Sequence, residues 1–107
     1  MNLYEKITNI KDNFFLIAGP CVIENETMPF EIAERLIEIT TKLGVPFIFK
    51  ASYKKANRSR LDSFTGIGDE KGLKILKEIK EKYNIPVLTD IHSEKEADFA
   101  KDFVDII

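Results

Sequence analysis

Apolar residues in this 107-residue chain fall into two kinds of pattern. Four short runs, residues 14–18, 46–49, 86–89 and 103–107, are almost continuously apolar and rich in β-branched and aromatic side chains. Runs that do not alternate suit strands covered on both faces, as in a parallel sheet. Between them lie stretches with helical periodicity. The first predicted helix starts near Thr27, with Pro29 in its first turn, where a missing N–H costs nothing. Its expected core stripe is Ile32, Leu36, Ile39 and Leu43, widened by Ala33 and Ile37, and Gly44 followed by Pro46 supplies the stop.

A second helix is predicted over residues 69–83. Leu73, Leu76, Ile79 and Tyr83 make its inner face, and Glu70–Lys74 and Glu78–Lys82 make i,i+4 ion pairs outside. Ser93 with Glu96 three residues on reads as a capping box for a third helix over residues 94–101. The order β-α-β-α-β-α-β implies right-handed parallel crossovers, in either an open doubly wound sheet or a barrel. No linker or low-complexity segment interrupts it, so residues 1–107 read as a single unit.

Two features favour the barrel. Each strand exits into a chemically loaded segment: Gly19-Pro20-Cys21 after the first, Lys50-Ala51-Ser52 and a basic stretch after the second, Thr89-Asp90-Ile91-His92 after the third. Active-site groups gathered from the C-terminal ends of successive strands are the (β/α)₈ arrangement. The connection over residues 53–68 is also longer than a plain connection needs. Against a nucleotide-binding sheet, the first strand-to-helix turn has neither G-x-G-x-x-G nor a Walker pattern, and Gly66-Ile67-Gly68 is a weak G-x-G that suits a turn.

Charge narrows the chemistry. Lys50, Lys54, Lys55, Arg58 and Arg60 fall within eleven positions that hold no acid; without them, 11 basic residues face 18 acidic ones. Cations concentrated in an acidic chain imply a small anionic ligand or a solvated basic loop. Nucleic acid fits poorly, because a net charge of −2 opposes a polyanion over most of the surface. No run approaches the length of a membrane span and the N-terminus lacks a signal-peptide core, so a cytoplasmic protein without membrane partners is expected. The single cysteine, Cys21, agrees with a reducing compartment and is either a buried small hydrophobe or a reactive thiol or metal ligand.

In this order the segments Ile17-Ala-Gly-Pro-Cys21-Val-Ile-Glu24, Phe49-Lys-Ala-Ser52, Lys55-Ala-Asn-Arg-Ser59 and Thr89-Asp-Ile-His92 resemble the 3-deoxy-D-manno-octulosonate 8-phosphate synthases. Those enzymes condense phosphoenolpyruvate with arabinose 5-phosphate on a (β/α)₈ barrel, for lipopolysaccharide biosynthesis. The related 3-deoxy-arabino-heptulosonate 7-phosphate synthases share the GPC-x-x-E start, but carry a Lys-Pro-Arg-Thr-Ser type segment after the second strand that is not found here. The resemblance implies that Lys50, Ser52 and Lys55 hold phosphoenolpyruvate, and that Asn57, Arg58 and Ser59 hold the sugar phosphate. Asp90 and His92 line the sugar side and handle protons; two apart on one strand, they are expected on one face.

By the same resemblance Cys21 is a ligand of a divalent metal (Zn, Fe or Mn) whose other ligands lie beyond residue 107. Glu24 is read as structural. Lys54, Arg60 and Thr65 depart from the family's usual residues. The family's homotetramer is the implied assembly. A (β/α)₈ barrel takes ~250 residues, so the chain is expected to be the N-terminal part, about four strands and three helices, and inactive in isolation. The competing reading is a non-catalytic remnant that binds small anions or a partner.

Overall fold

The computed structural model describes residues 14–53 and 69–107. Three strands, β1 (Leu16–Ala18), β2 (Phe47–Lys50) and β3 (Val87–Leu88), alternate with three helices, α1 (Met28–Leu43), α2 (Asp69–Tyr83) and α3 (Glu94–Ala100). The strands pair in parallel and in chain order, β1-β2-β3. Leu16, Ile17 and Ala18 stand opposite Phe47, Ile48 and Phe49, while Phe49 and Lys50 stand opposite Val87 and Leu88. Sequential parallel order with right-handed crossovers stacks every helix on the same face of the sheet. Accordingly α1 packs on β2 and on α2, and α2 packs on β3.

The strand pattern separates two faces. Toward the helices point Phe47, Phe49, Ala51, Tyr53 and Val87, which join Leu73, Leu76 and Ile79 of α2 and Ala33 of α1 in the buried core. Residues on the alternate positions, Ile17, Ile48, Lys50 and Leu88, share the opposite face. Ile48 is buried there between its neighbouring strands, but Ile17 is 43% exposed.

Local chemistry explains the helix ends. Thr27 is the N-cap residue of α1 but makes no side-chain cap. That role falls to Asn25, whose Oδ1 accepts from the backbone N–H of Thr27 (3.0 Å) and Met28 (2.7 Å). Gly44 ends α1 at φ 66°, in the left-handed region that suits glycine, with its N–H turned back to the last carbonyls. At α3 the expected Ser93 cap forms, with Glu96 N–H donating to Ser93 Oγ (3.3 Å), but the return contact of the box differs: Glu96 Oε2 accepts from the Ser93 hydroxyl (3.1 Å) and from His92 N–H (3.0 Å), one residue before the N-cap.

Three expectations need correction. The apolar stripe of α1 is buried only in part: Ala33 is fully covered and Ile32, Leu36 and Ile37 pack on the core, but Ile39 and Leu43 are 38% and 69% exposed. Helical spacing marks an apolar face without saying what covers it, and the C-terminal half of this one lies off the surface against β2 and α2. Lys82, expected to pair with Glu78, lies over the rings of Phe30 and Tyr83 at 5.5 and 5.3 Å. The expected fourth strand is a single parallel bridge, Ile106 to Leu88. Phe103 N–H still bonds the Ala100 carbonyl in the turn leaving α3, so extended pairing begins only at Asp105 and Ile106, which donate to the Val87 carbonyl. Among the described residues no helix is long and apolar enough to cross a membrane.

Candidate active site at the strand ends

The sheet's parallel order brings three strand exits to one end. After β1 the chain passes Gly19 and Pro20 to Cys21, whose carbonyl accepts from Ser52 N–H (3.2 Å); Ile23 N–H then donates to the Ser52 carbonyl (3.1 Å). Val22 and Ser52 therefore form a parallel bridge that extends the β1–β2 pairing past both strands. Gly19 is required at the crossing point. A Cβ there would lie 1.8 Å from the Lys50 carbonyl oxygen, a distance no side chain can occupy. The glycine of the GPC segment is thus explained by close backbone approach to the residue that presents the first cation.

Lys50 ends β2 half-buried, opposite Leu88, on the face away from the helices. Ser52, two residues on, is buried. From β3, Thr89 is fully buried and its hydroxyl donates to the Ala51 carbonyl (2.9 Å), which locks the third exit to the second. Asp90 and His92 follow. The strand has already ended, so alternation along it does not bring them together. The turn into α3 does: His92 Nε2 and Asp90 Oδ2 are 3.4 Å apart, each side chain 40% exposed. Asp90 Oδ1 is buried and has no hydrogen-bond partner among the described residues. A buried carboxylate oxygen left open is costly, and in a cleft it marks the place of a donor.

Cys21 is exposed, not the buried hydrophobe that a lone cysteine often is. Among the described residues no three His, Cys, Asp or Glu side chains stand together as a metal site would need, so this region offers the thiol as one donor only. Glu24 is exposed. Lys54, Lys55, Asn57, Arg58, Ser59, Arg60, Thr65 and the Gly66-Ile67-Gly68 turn lie outside the described residues. What the structure brings together of the expected set is Cys21 with Ser52 through their backbones, and Asp90 with His92 through their side chains.

Sequence reasoning assigned Glu96 only to a cap. Its Oε1 also accepts from the Tyr53 hydroxyl (2.7 Å), and its Oε2 from His92 N–H (3.0 Å). The capping-box spacing announces the carboxylate, but the contact with Tyr53 spans 43 positions and leaves no local mark. Phe30 of α1 and Glu78, Glu81 and Lys82 of α2 line a separate groove.

Comparison with known proteins adds an independent line. Residues 2–107 match the sequence profile described as the DAHP synthetase I family. The chain is 55% identical over 94 residues, 88% of its length, to the 2-dehydro-3-deoxyphosphooctonate aldolase of Paracidovorax citrulli, covering 33% of that protein. Proteins of the same name from Hydrogenovibrio crunogenus and Rickettsia typhi are 50% and 46% identical over 92% and 95% of the chain, and 35% and 39% of their own lengths. The chain spans about a third of the length of the curated relatives it matches.

Proposed function

The chain belongs to the DAHP synthetase I family, and we propose that it forms the first part of a (β/α)₈ barrel that makes 3-deoxy-D-manno-octulosonate 8-phosphate and phosphate from phosphoenolpyruvate, arabinose 5-phosphate and water. The observation that carries this reading is the delivery of Gly19–Cys21, Lys50–Ser52 and Asp90–His92 to one end of a sequentially ordered parallel sheet. The relatives' names support the octulosonate over the heptulosonate product, whose name the family bears. The barrel accounts for the exposed apolar edges. Ile17, Ile39 and Leu43 on the β1/α1 side and Phe99 and Ile107 on the other are the positions that further strands and helices would cover.

In this reading two anionic substrates meet a set of fixed cations, worth more in a closed cleft than in water. Lys50 and Lys55, with Ser52, hold phosphoenolpyruvate; Asn57, Arg58 and Ser59 hold the phosphate of the sugar, where a guanidinium fork matches phosphate geometry. The open Asp90 Oδ1 accepts from a sugar hydroxyl, and the Asp90–His92 pair holds and moves the proton as the methylene carbon of phosphoenolpyruvate bonds to the aldehyde carbon. The exposed Cys21 thiol is a suitable single donor for a divalent metal such as Zn, Fe or Mn, its other ligands coming from outside these residues. Such a metal, when bound, would polarise the aldehyde or a water. The protein works in the cytoplasm, as a homotetramer.

The test is phosphate release from phosphoenolpyruvate and arabinose 5-phosphate by the intact protein, with phosphoenolpyruvate binding followed by calorimetry. Lys50→Ala should weaken that binding at least tenfold, as expected for the loss of a charge-assisted contact. Binding without turnover would favour the non-catalytic reading, and an unchanged affinity in Lys50→Ala would remove the assignment of this site.

A further inference from the structure

Resting on that reading, we propose that Glu96 is a positioning residue that sets the substrate-binding end of β2 against the acid–base pair after β3. Its two carboxylate oxygens serve different segments. Oε1 takes the hydroxyl of Tyr53, the residue directly after Ser52. Oε2 takes the backbone N–H of His92 and the hydroxyl of Ser93. One side chain thus joins the two exits whose relative placement decides whether an anion held by Lys50 and Ser52 meets the Asp90–His92 pair.

The surroundings make this link stiff. Tyr53 is 1% exposed, and its Cβ and carbonyl lie against the space that a side chain would fill at Gly72 of α2, 3.1 Å from such a Cβ. The tyrosine thus packs close against α2, where the absence of a side chain at Gly72 makes room for it. On its other side the exit is held by Thr89, whose hydroxyl binds the Ala51 carbonyl. Glu96 itself is fixed by the cap geometry, its backbone N–H donating to Ser93 Oγ. A helix cap needs only the contacts to Ser93 and the N-terminal backbone. The hydrogen bond to Tyr53 is surplus to capping, and at 2.7 Å it is shorter than those from His92 N–H (3.0 Å) and the Ser93 hydroxyl (3.1 Å). A hydrogen bond between a buried tyrosine and an ionised carboxylate is strong because the acceptor is charged.

The chemistry of the carboxylate defines the variants. An amide can still accept from His92 N–H and Ser93 through its oxygen while donating its NH₂ to the Tyr53 oxygen, so Glu96→Gln keeps both connections. Glu96→Ala loses both. Tyr53→Phe keeps the buried ring and the Glu96 carboxylate while removing the hydrogen bond between them, which makes it the variant least prone to misfold. Steady-state kinetics of the intact protein with phosphoenolpyruvate and arabinose 5-phosphate provide the readout.

Tyr53→Phe should raise KM for phosphoenolpyruvate about three- to tenfold with kcat within about twofold, because the exit that carries Lys50 and Ser52 loses its tie to α3 while His92 keeps its own. Glu96→Ala should raise that KM similarly and also lower kcat, and Glu96→Gln should stay within about twofold of the parent in both. Adding Tyr53→Phe to Glu96→Ala should change nothing further, since the two act through one bond. A fall in melting temperature with unchanged KM in Tyr53→Phe and Glu96→Ala would overturn the proposal, as would a Glu96→Gln variant as impaired as Glu96→Ala. If Lys50→Ala weakens phosphoenolpyruvate binding while these variants are kinetically silent, only the role of Glu96 fails. If Lys50→Ala is silent too, the site itself is misassigned.

Discussion

At the scale of single residues, backbone contacts define the strand ends more than side-chain chemistry does. Gly19 shows this most directly, because its missing Cβ is what lets the chain cross the Lys50 carbonyl. Gly19→Ala should destabilise the protein by roughly 2–4 kcal/mol, since the clash is with rigid backbone and one of the strands must move. Gly44→Ala meets no neighbour within 4 Å, so only its left-handed φ of 66° opposes the new side chain. It should cost about 1 kcal/mol. Denaturant titration of the two variants checks the order; equal losses would mean that the crossing at Gly19 relaxes. The GPC segment was recognisable as a motif from sequence, but the reason for its glycine was not, since Lys50 is 31 positions away and becomes its neighbour only through the β1–β2 pairing.

At the scale of elements, the helices were legible because their signals are local. The bounds of α2 and the cap of α3 follow from apolar spacing and the Ser93–Glu96 pair. The start of α1 was placed correctly, but its capping side chain is Asn25 rather than Thr27. Asn25→Ala should therefore cost about 1 kcal/mol and Thr27→Ala clearly less, measured by chemical unfolding. Between α1 and α2 the Tyr83 hydroxyl donates to Glu34 Oε1 (2.7 Å). Burial, and then this hydrogen bond and the negative charge of Glu34, push the Tyr83 phenol up from 10.0 to about 12.

A phenol held neutral in the folded state stabilises it fully below its unfolded pKa of 10.0, and that contribution is lost as pH rises toward about 12. Tyr83→Phe should accordingly be less sensitive to alkaline unfolding across this window than the parent. Phenolate absorbance should lose a component titrating near 12 in the variant; a variant that loses only a component titrating near 10 would contradict the clamp.

At the scale of the whole molecule, the exposed apolar residues are not scattered. Phe14, Ile17, Ile39 and Leu43 belong to the side of β1 and α1, and Phe99 and Ile107 to the side of α3 and the last bridge. Among the described residues, both sides of the sheet therefore end in strand edges without a further partner, flanked by apolar surface, which favours association. A polypeptide of these 107 residues on its own should self-associate and unfold over a broad range, and should release no phosphate from the two substrates. Sedimentation and calorimetry test the first point: a monomer with one sharp transition would show that the edges are already satisfied.

What the sequence determined by itself is whatever depends on neighbours a few positions apart: helix spacing, caps and stops, parallel-type strand runs, and the chemical identity of the segments following each strand. Those segments also sufficed to identify the family, because they keep their residue types and order. Tertiary structure alone decided which of them touch. The Gly19–Lys50 crossing, the Cys21–Ser52 pairing and the Tyr53–Glu96 bond all join positions at least 31 residues apart, and each depends on strands lying side by side in one register. It also decided that Ile39 and Leu43 face outward and that residues 103–107 make one bridge instead of a strand. Apolar spacing shows where burial is wanted; a packed neighbour is what supplies it.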